Sequence, residues 1–303
     1  MAKSSSVKAV VDSKIDACGL ALIISNDYVK VSRLGALTGT HNDGDRMKNV
    51  LEGLGYATVR KRNVPEHDLQ QIVWEATQVV HYSDSYKCIV FIFSGHGDCE
   101  EHCGSNGVRR YVYDSDGRKM DVKSLMDPFM PKSSRNVGNM PKVFLIDACL
   151  GNKDMYTEAV IVSKGRTNGT MQEVHGRGSN ELKTLVPPEG NYVVAFSASE
   201  GYRSYEVRDD GGIWMKKLSE VVKEKGHCKS IMDILTDTNK ELMKLYQDKA
   251  YKKALTQPEC ICKLQDTLYL VPQSAPPRLM DDQSSALNKQ LSSSVDGNYS
   301  SMH

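Results

Sequence analysis

The chain has 303 residues, and its 39 Lys and Arg residues balance 38 Asp and Glu residues to a formal net charge of +1. This balance argues against a protein that chiefly binds nucleic acid, because phosphate binding needs a basic surplus, and a hydrophobic share of 40% argues against global disorder. No apolar run approaches 18 residues, so no membrane span is predicted. The eight Cys residues are irregularly spaced and there is no secretory signal, which predicts reduced thiols in a cytoplasmic protein.

Apolar runs alternate along the chain with segments of helical periodicity. The segments that predict strands are residues 20–24, 56–60, 88–93, 143–146, 193–196 and 267–271. Helices are predicted after Asp43, from residue 64, around Trp214 and from Ile231, where apolar residues recur every three or four positions. Apolar strands separated by amphipathic helices are typical of an α/β protein, in which helices cover both faces of a mainly parallel sheet.

In such a fold the chemistry lies beyond the carboxyl ends of the strands. The loop after residues 88–93 reads SGHGD, and the loop after residues 143–146 reads DACLG. These loops place His96 and Cys149 just past two buried strands. A Cys–His pair is the minimum machinery for nucleophilic catalysis by a thiol, and the N–H groups of Gly97 and Cys149 could face a developing oxyanion.

A zinc site is the alternative interpretation of the first loop. Its ligands would be His96, Cys99, His102 and Cys103. This compact spacing lacks the second ligand pair of a typical zinc site. We therefore predict neither a metal nor a cofactor.

Beyond the Cys–His pair, the chain resembles the caspase family over residues 18–272. DACLG is close to the QAC-x-G sequence around the caspase nucleophile, which has its histidine about 50 residues upstream. The segments similar to caspases follow the caspase order and are residues 19–26, 37–43, 113–125, 141–151, 196–214 and 258–270. The resemblance implies the caspase-like (caspase-hemoglobinase) fold, an α/β fold with a mainly parallel six-stranded sheet flanked by helices on both faces.

The resemblance also assigns roles to individual residues. Cys149 matches the nucleophile, His96 the base and Gly97 the oxyanion donor. Ser204 and Tyr205 match residues of the substrate groove. The family likeness further implies a zymogen that cleaves protein or peptide substrates, possesses no cofactor and acts in programmed cell death. It also implies a homodimer joined through the last strand around residues 264–270, with no nucleic-acid or membrane partner.

The same resemblance divides the chain into five regions. These are a short N-terminal segment (1–17), a large-subunit-like region (18–150), an intersubunit-type linker loop (151–188), a small-subunit-like region (189–272) and a flexible Ser-rich tail (273–303). The linker and the tail are rich in polar and small residues, which is the composition expected of segments without a packed core.

The pocket for the residue before the cut departs from the caspase pattern. Caspases hold an aspartate there with two arginines and a glutamine. In this chain Leu37 and Glu206 stand at the arginine positions and Asp147 at the glutamine position, and Asp43 adds a further carboxylate. Such an acidic set resembles paracaspases and metacaspases, which cut after basic residues. The alternative for Glu206 and Asp147 is an ordinary surface glutamate and a turn-capping aspartate.

The linker offers a related prediction about self-processing. Between Cys149 and residue 188 the only aspartate is Asp154, which lies very near the nucleophile. Basic residues are better placed for cleavage, and the candidates are Lys164, Arg166, Arg177 and Lys183.

Two other functions stay open at this point. The chain could be an Asp-specific effector-type caspase whose aspartate is held by Arg203 or Arg208. It could also be a catalytically weak caspase-like regulator of a partner protease, although the presence of both Cys149 and His96 argues against this.

Overall fold

The structure is a computed structural model that describes residues 6–14, 16–80, 86–101, 107–133, 137–152, 183–184, 186–247 and 256–273. Six strands form the central sheet. They are β1 (Gly19–Ser25), β2 (Tyr56–Arg62), β3 (Cys88–Ser94), β7 (Lys142–Asp147), β9 (Tyr192–Phe196) and β12 (Glu259–Cys262). Their order is β12-β9-β7-β3-β1-β2. Only β12 is antiparallel to its neighbour.

Alternate side chains of the central strands pack into two hydrophobic clusters, one on each face of the sheet. Leu20 and Leu22 of β1 join one cluster, whereas Ala21 and Ile23 join the other. Every residue of β1 and β3 is buried, as expected for parallel strands that are covered on both sides. This burial explains why both strands could be predicted from continuous apolar runs.

Helices cover both faces, as predicted. The first cluster is covered by α1 (Val7–Ser13), α3 (Glu66–Val79) and α4 (Val122–Met126), and the second by α2 (Thr40–Gly53), α5 (Ile213–Lys225) and α6 (Ile231–Leu245). The predicted α/β class and mainly parallel six-stranded sheet are therefore confirmed. The described residues up to Pro272 belong to one compact unit, while the predicted tail lies outside the described residues apart from Gln273. No helix in the described ranges is long and apolar enough to span a membrane.

The predicted last strand is wrong in position. Residues 267–271 form only an isolated bridge between Tyr269 and Ser230, and the sixth strand is Glu259–Cys262. Leu268 and Leu270 are buried in the cluster beneath α5 and α6, and the carbonyl oxygen of Leu268 accepts the N–H of Ile231 at 2.8 Å. The apolar side chains of this segment are thus covered by helices rather than by neighbouring strands.

Two small sheets, which the sequence patterns did not predict, surround the carboxyl edge of the central sheet. One contains β4 (Gly97–Glu101), β5 (Gly107–Tyr113), β6 (Lys119–Asp121) and β8 (Lys183–Thr184). The other is a short hairpin of β10 (Glu206–Val207) and β11 (Gly211–Gly212). Because β3 leads almost directly into β4, His96 is held between two sheets, and the hairpin brings Glu206 to the same edge.

Candidate active site

His96 lies between two glycines in the turn that joins β3 to β4. Its Nε2 atom is 2.6 Å from the carbonyl oxygen of Gly35. Because a carbonyl oxygen only accepts hydrogen bonds, we assign the proton to Nε2, which leaves the lone pair of the neutral ring on Nδ1. Burial lowers the pKa of His96. The imidazole is therefore neutral at neutral pH and can act as a general base.

Cys149 lies just past the end of β7. Its thiol donates to the carbonyl oxygen of Ser204 at 3.5 Å, and burial raises the pKa of the thiol. The resting nucleophile is therefore a protonated thiol, which has to pass its proton to a base as it attacks. His96 and Cys149 line the same cleft at the carboxyl edge of the sheet.

Backbone hydrogen bonds fix the turn that carries Cys149. The N–H of Leu150 donates to Tyr202 at 2.9 Å, and the carbonyl oxygen of Leu150 accepts the N–H of Gly201 at 2.5 Å. The thiol of Cys99 donates to the same oxygen at 2.9 Å. The nucleophile is thus held between β4 and the segment that follows β9.

Gly97 begins β4 and stands opposite Val112 of β5. The adjacent pair carries a ladder bond from Tyr113 N–H to the His96 carbonyl oxygen, at 3.0 Å. Hydrogen-bonded and non-hydrogen-bonded pairs alternate in an antiparallel ladder, so the Gly97 N–H faces away from β5. A Cβ atom at this position would lie 2.7 Å from the carbonyl oxygen of Cys149, which restricts the position to glycine.

Asp43 is buried in the first turn of α2, with 1% of its surface exposed. It accepts hydrogen bonds from the N–H of Gly212 at 2.8 Å and the hydroxyl of Ser94 at 3.3 Å, and it pairs with Arg46 at 3.3 Å. Burial, together with the nearby charge of Asp147, still raises the pKa of Asp43. The carboxylate therefore gains less from its partners than it loses by leaving water.

Asp147 and Glu206 complete an acidic group in the same cleft. Asp147 accepts the hydroxyl of Ser204 at 3.0 Å, and burial raises its pKa. Burial and the charge of Asp147 raise the pKa of Glu206 to about 7. The Glu206 Oε2 atom is buried and, among the described groups, accepts no hydrogen bond. This pocket therefore groups three carboxyl groups and, without a cation beside them, disfavours their ionised forms.

Two consecutive glycines make room for these carboxylates. A Cβ atom at Gly211 would collide with the carboxylate of Asp43, and one at Gly212 would collide with Oδ2 of Asp147. Gly211 also has a φ of 110°, in a region that side-chain-bearing residues rarely adopt. The β10–β11 hairpin thus closes the acidic pocket with backbone alone.

Most of the predicted site residues meet in this cleft. Its lining is Leu37, Thr40, Asp43, Ser94, Gly95, His96, Asp147, Ala148, Cys149, Ser204, Tyr205, Glu206 and Gly212. Gly97 is adjacent to it. No described Lys or Arg lines the cleft, and neither Arg203 nor Arg208 is part of it.

The remaining predicted positions lie elsewhere. Lys164, Arg166 and Arg177 are outside the described residues, as are His102 and Cys103 of the alternative zinc site. The backbone of Lys183 pairs in parallel with Gly107 of β5. Within the described part of the chain, no group of three His, Cys, Asp or Glu side chains is arranged to hold a metal ion.

Two residues that contact His96 were not predicted from the sequence. Gly35 accepts the Nε2 proton of His96, and Tyr28 contacts both the backbone and the ring of His96. Neither residue belongs to a recognisable motif, so no sequence signal could have identified them.

A neutral thiol and a neutral imidazole at the carboxyl edge of an α/β sheet define a candidate site of thiol-dependent hydrolysis. The model of the Caspase domain family matches residues 18–269. Similar curated proteins include Caspase-1 of Drosophila melanogaster, 25% identical over 225 residues (74% of this chain, 62% of the relative), and Caspase-3 of Mus musculus, 24% identical over 227 residues (74% and 72%).

Caspase-7 of Gallus gallus is 26% identical over 222 residues, which cover 73% of this chain and 65% of the relative. The chain thus spans between 62% and 72% of the length of these three relatives. The crystal structure of Caspase-1 from Spodoptera frugiperda superposes with a TM-score of 0.65 at 20% identity and covers 86% of this chain and 92% of that chain. It therefore shares the fold.

The chain belongs to the caspase family, which is a family of cysteine-type endopeptidases. The predicted family and the predicted caspase-like fold are both confirmed, and the prediction of a cysteine-type endopeptidase is supported at the level of the family.

Proposed function

We propose that this protein is a cysteine endopeptidase that cleaves proteins after Arg or Lys, with Cys149 as nucleophile and His96 as general base. The observation that carries the proposal is the charge of the cleft. Asp43, Asp147 and Glu206 line it together with the dyad, and no described basic side chain does. A cationic side chain that enters the cleft would favour the ionised forms of carboxyl groups whose pKa values are raised in its absence.

The two residues, which line the same cleft, can carry out a balanced reaction. Sγ of Cys149 attacks the scissile carbonyl carbon as its proton passes to Nδ1 of His96, and the N–H of Gly97 stabilises the oxyanion. The C–N bond then breaks, and His96 gives this proton to the leaving amine. Water attacks the thioester and loses a proton to His96. The C–S bond breaks, and the thiol recovers its proton.

Electrostatics separates the two classes of substrate. One pair of unit charges at 4 Å interacts by about 4 kcal/mol at an effective dielectric constant of 20. For an aspartate before the cut, this interaction energy would be a repulsion from Glu206 and Asp147. For an arginine it would be an attraction, and the planar guanidinium can bind carboxylates in a bidentate manner. The buried Oε2 of Glu206, which accepts no hydrogen bond from a described group, is a suitable acceptor.

Covalent probes test the proposal. Two peptidyl acyloxymethyl ketones that differ only in carrying Arg or Asp before the warhead would be incubated with the protein, and the modified residue identified by mass spectrometry. We expect the Arg probe to modify Cys149, with no modification in Cys149→Ala. Preferential labelling by the Asp probe would overturn the basic specificity in favour of an Asp-specific caspase. An absence of labelling by either probe would favour the catalytically weak regulator of a partner protease.

We further propose that self-processing follows basic residues of the linker, at Lys164, Arg166, Arg177 or Lys183. A cut at Lys183 would require its pairing with β5 to open, because a protease binds its substrate as a free extended strand. Incubation of the purified protein followed by N-terminal sequencing should give new termini after one of these residues, and none in Cys149→Ala. Cleavage only after Asp154 or Asp12 would contradict this proposal.

The partner and cellular proposals follow from the family. We propose a zymogen that is cytoplasmic, acts in programmed cell death and forms a homodimer through its last strand, which is β12 rather than the predicted residues 264–270. β12 is an edge strand of the central sheet, and an exposed edge is a template for pairing with another chain. A lysine at the exposed Cys260 should therefore shift the dimer towards monomer in light scattering. A monomeric wild-type protein, or a Cys260→Lys dimer as stable as wild type, would contradict this interface.

A further inference from the structure

Tyr28 lies in the loop after β1, directly behind His96. Only 2% of its surface is exposed, and its φ of 55° is in the left-handed region, where bulky residues are rare. Its hydroxyl donates to the carbonyl oxygen of Tyr113 at 2.6 Å and accepts the backbone N–H of His96 at 3.1 Å. Residues with a strained backbone persist only where surrounding contacts hold them in place, and they cluster at functional sites.

The hydroxyl takes the place of a ladder bond. His96 and Tyr113 are a hydrogen-bonded pair, because the Tyr113 N–H donates to the His96 carbonyl oxygen at 3.0 Å. In a regular antiparallel ladder the His96 N–H would return a bond to the Tyr113 carbonyl oxygen. Here the Tyr28 hydroxyl bridges that N–H and that oxygen. The bridge sets the backbone of His96 apart from β5 at the point where β4 begins.

The ring of Tyr28 contacts the other side of the same residue. The ring centroids of Tyr28 and His96 are 4.7 Å apart, with the planes inclined by 44°. Gly35, seven residues further along the same loop, accepts the Nε2 proton. One loop therefore determines both the backbone position and the ring orientation of His96.

Gly95 fits this arrangement. A Cβ atom at Gly95 would lie 2.5 Å from the Tyr28 hydroxyl oxygen, so the first glycine of the SGHG turn leaves space for the bridge. Burial raises the pKa of Tyr28. The phenol therefore stays protonated and can both donate and accept.

We propose that Tyr28 is a positioning residue whose bridging hydroxyl sets the backbone of His96 and, through it, the direction of Nδ1 towards the Cys149 thiol. The inference deepens the proposed function and rests on it only in so far as the dyad is catalytic. Tyr28 is not among the residues that line the cleft and acts through His96, so its loss lowers turnover equally for every residue before the cut.

Tyr28→Phe tests the inference, because it keeps the ring and removes only the hydroxyl. Tyr192→Phe is the matched control: Tyr192 is also fully buried and its hydroxyl also donates to a carbonyl oxygen at 2.6 Å, that of Pro187. We expect Tyr28→Phe to lower kcat on the best peptide by about tenfold to a hundredfold with KM within twofold of wild type. Tyr192→Phe should leave kcat unchanged.

The rate of Cys149 alkylation by chloroacetamide, measured as a function of pH, distinguishes a positioning role of Tyr28 from a merely structural one. Near pH 7 the thiol needs His96 as its base, so the rate constant for Tyr28→Phe should fall about tenfold. Above the pKa of the thiol, hydroxide removes the proton, and the two rates should converge. Equal kcat values for the two Phe variants, or alkylation rates of Tyr28→Phe equal to wild type at every pH, would overturn the inference. If wild type turns over no peptide, the proposed function fails, whereas the alkylation profile still tests Tyr28.

Discussion

Glu206→Gln removes one charge from the acidic cleft and changes the shape of the side chain very little. We propose that Glu206 binds the cation of the substrate, because its Oε2 atom is buried and accepts no hydrogen bond from a described group. The substitution therefore leaves the internal hydrogen bonds of Asp43 and Asp147 in place. It should act on substrate binding rather than on the architecture of the cleft.

The size of the effect follows from the position of Glu206. At 4 Å an ion pair contributes about 1 kcal/mol in bulk water and about 4 kcal/mol at an effective dielectric constant of 20. Glu206 is half-buried, so the loss lies between these limits, and about 2–3 kcal/mol corresponds to a fall in kcat/KM of roughly 30-fold to 150-fold. Turnover of an Asp peptide should rise or stay unchanged, because a like charge has been removed.

The same substitution should affect stability in the opposite direction. The folded-state pKa of Glu206, about 7, is above the ordinary value of a glutamate, so the ionised form is disfavoured in the folded protein. The ionisation of Glu206 therefore lowers the stability of wild type as the pH rises through this pKa, and this contribution is absent from Glu206→Gln. We expect the Tm of Glu206→Gln to exceed that of wild type at pH 8 and the two to converge at pH 4.

Steady-state kinetics with a matched Arg/Asp peptide pair, together with thermal unfolding at both pH values, measures these effects. Glu220→Gln is the control, because Glu220 is a surface residue of α5 that pairs with Lys217. Retention of Arg-peptide kcat/KM within twofold of wild type, with an unchanged Tm at pH 8, would refute the electrostatic reasoning for Glu206.

The remaining predictions concern the walls and the titration of the cleft. Gly212→Ser should lower kcat/KM on Arg peptides at least tenfold, because its Cβ atom displaces Asp147. Gly53→Ser is the control and should not lower it, because nothing lies near a Cβ atom at that position. Equal kinetics of the two variants would contradict this prediction. Between pH 8 and pH 6.5, kcat/KM on Arg peptides should fall as Asp43, with a pKa of about 8, and Glu206, with a pKa of about 7, become protonated. A peptide with a neutral residue before the cut should show a smaller fall, because the lowered pKa of His96 favours the neutral base in this range. A parallel fall for both peptides would assign the titration to the dyad instead.

The sequence patterns predicted those parts of the fold in which local pattern and burial agree. β1, β3, β7 and β9 are buried on both faces, so their apolar runs were visible. β12 has only four residues, and its exposed side chains include both Cys260 and Cys262, so it has no apolar signal of its own. Apolarity alone cannot distinguish a residue covered by strands from one covered by helices, which is why residues 267–271 were mistaken for the edge strand.

The candidate site divides in the same way. His96 and Cys149 were predicted from residue type and position after a strand, whereas the three carboxylates were predicted only from the resemblance to caspases. Tyr28 contacts His96 from a left-handed backbone, and Gly35 contacts it through a carbonyl oxygen. Neither feature has a signature in the sequence. The glycine pair at 211–212 shows its role only when the carboxylates that it accommodates are in place.

Measuring which residue is preferred before the cut tests the proposed cleavage after Arg or Lys. A fluorogenic peptide set that is constant except for Arg, Lys, Asp or Ala before the scissile bond would be assayed with wild type and with Cys149→Ala. We expect kcat/KM for Arg and Lys to exceed that for Asp by at least a hundredfold and Cys149→Ala to cleave none of the peptides. Efficient cleavage after Asp with none after Arg or Lys would contradict this expectation.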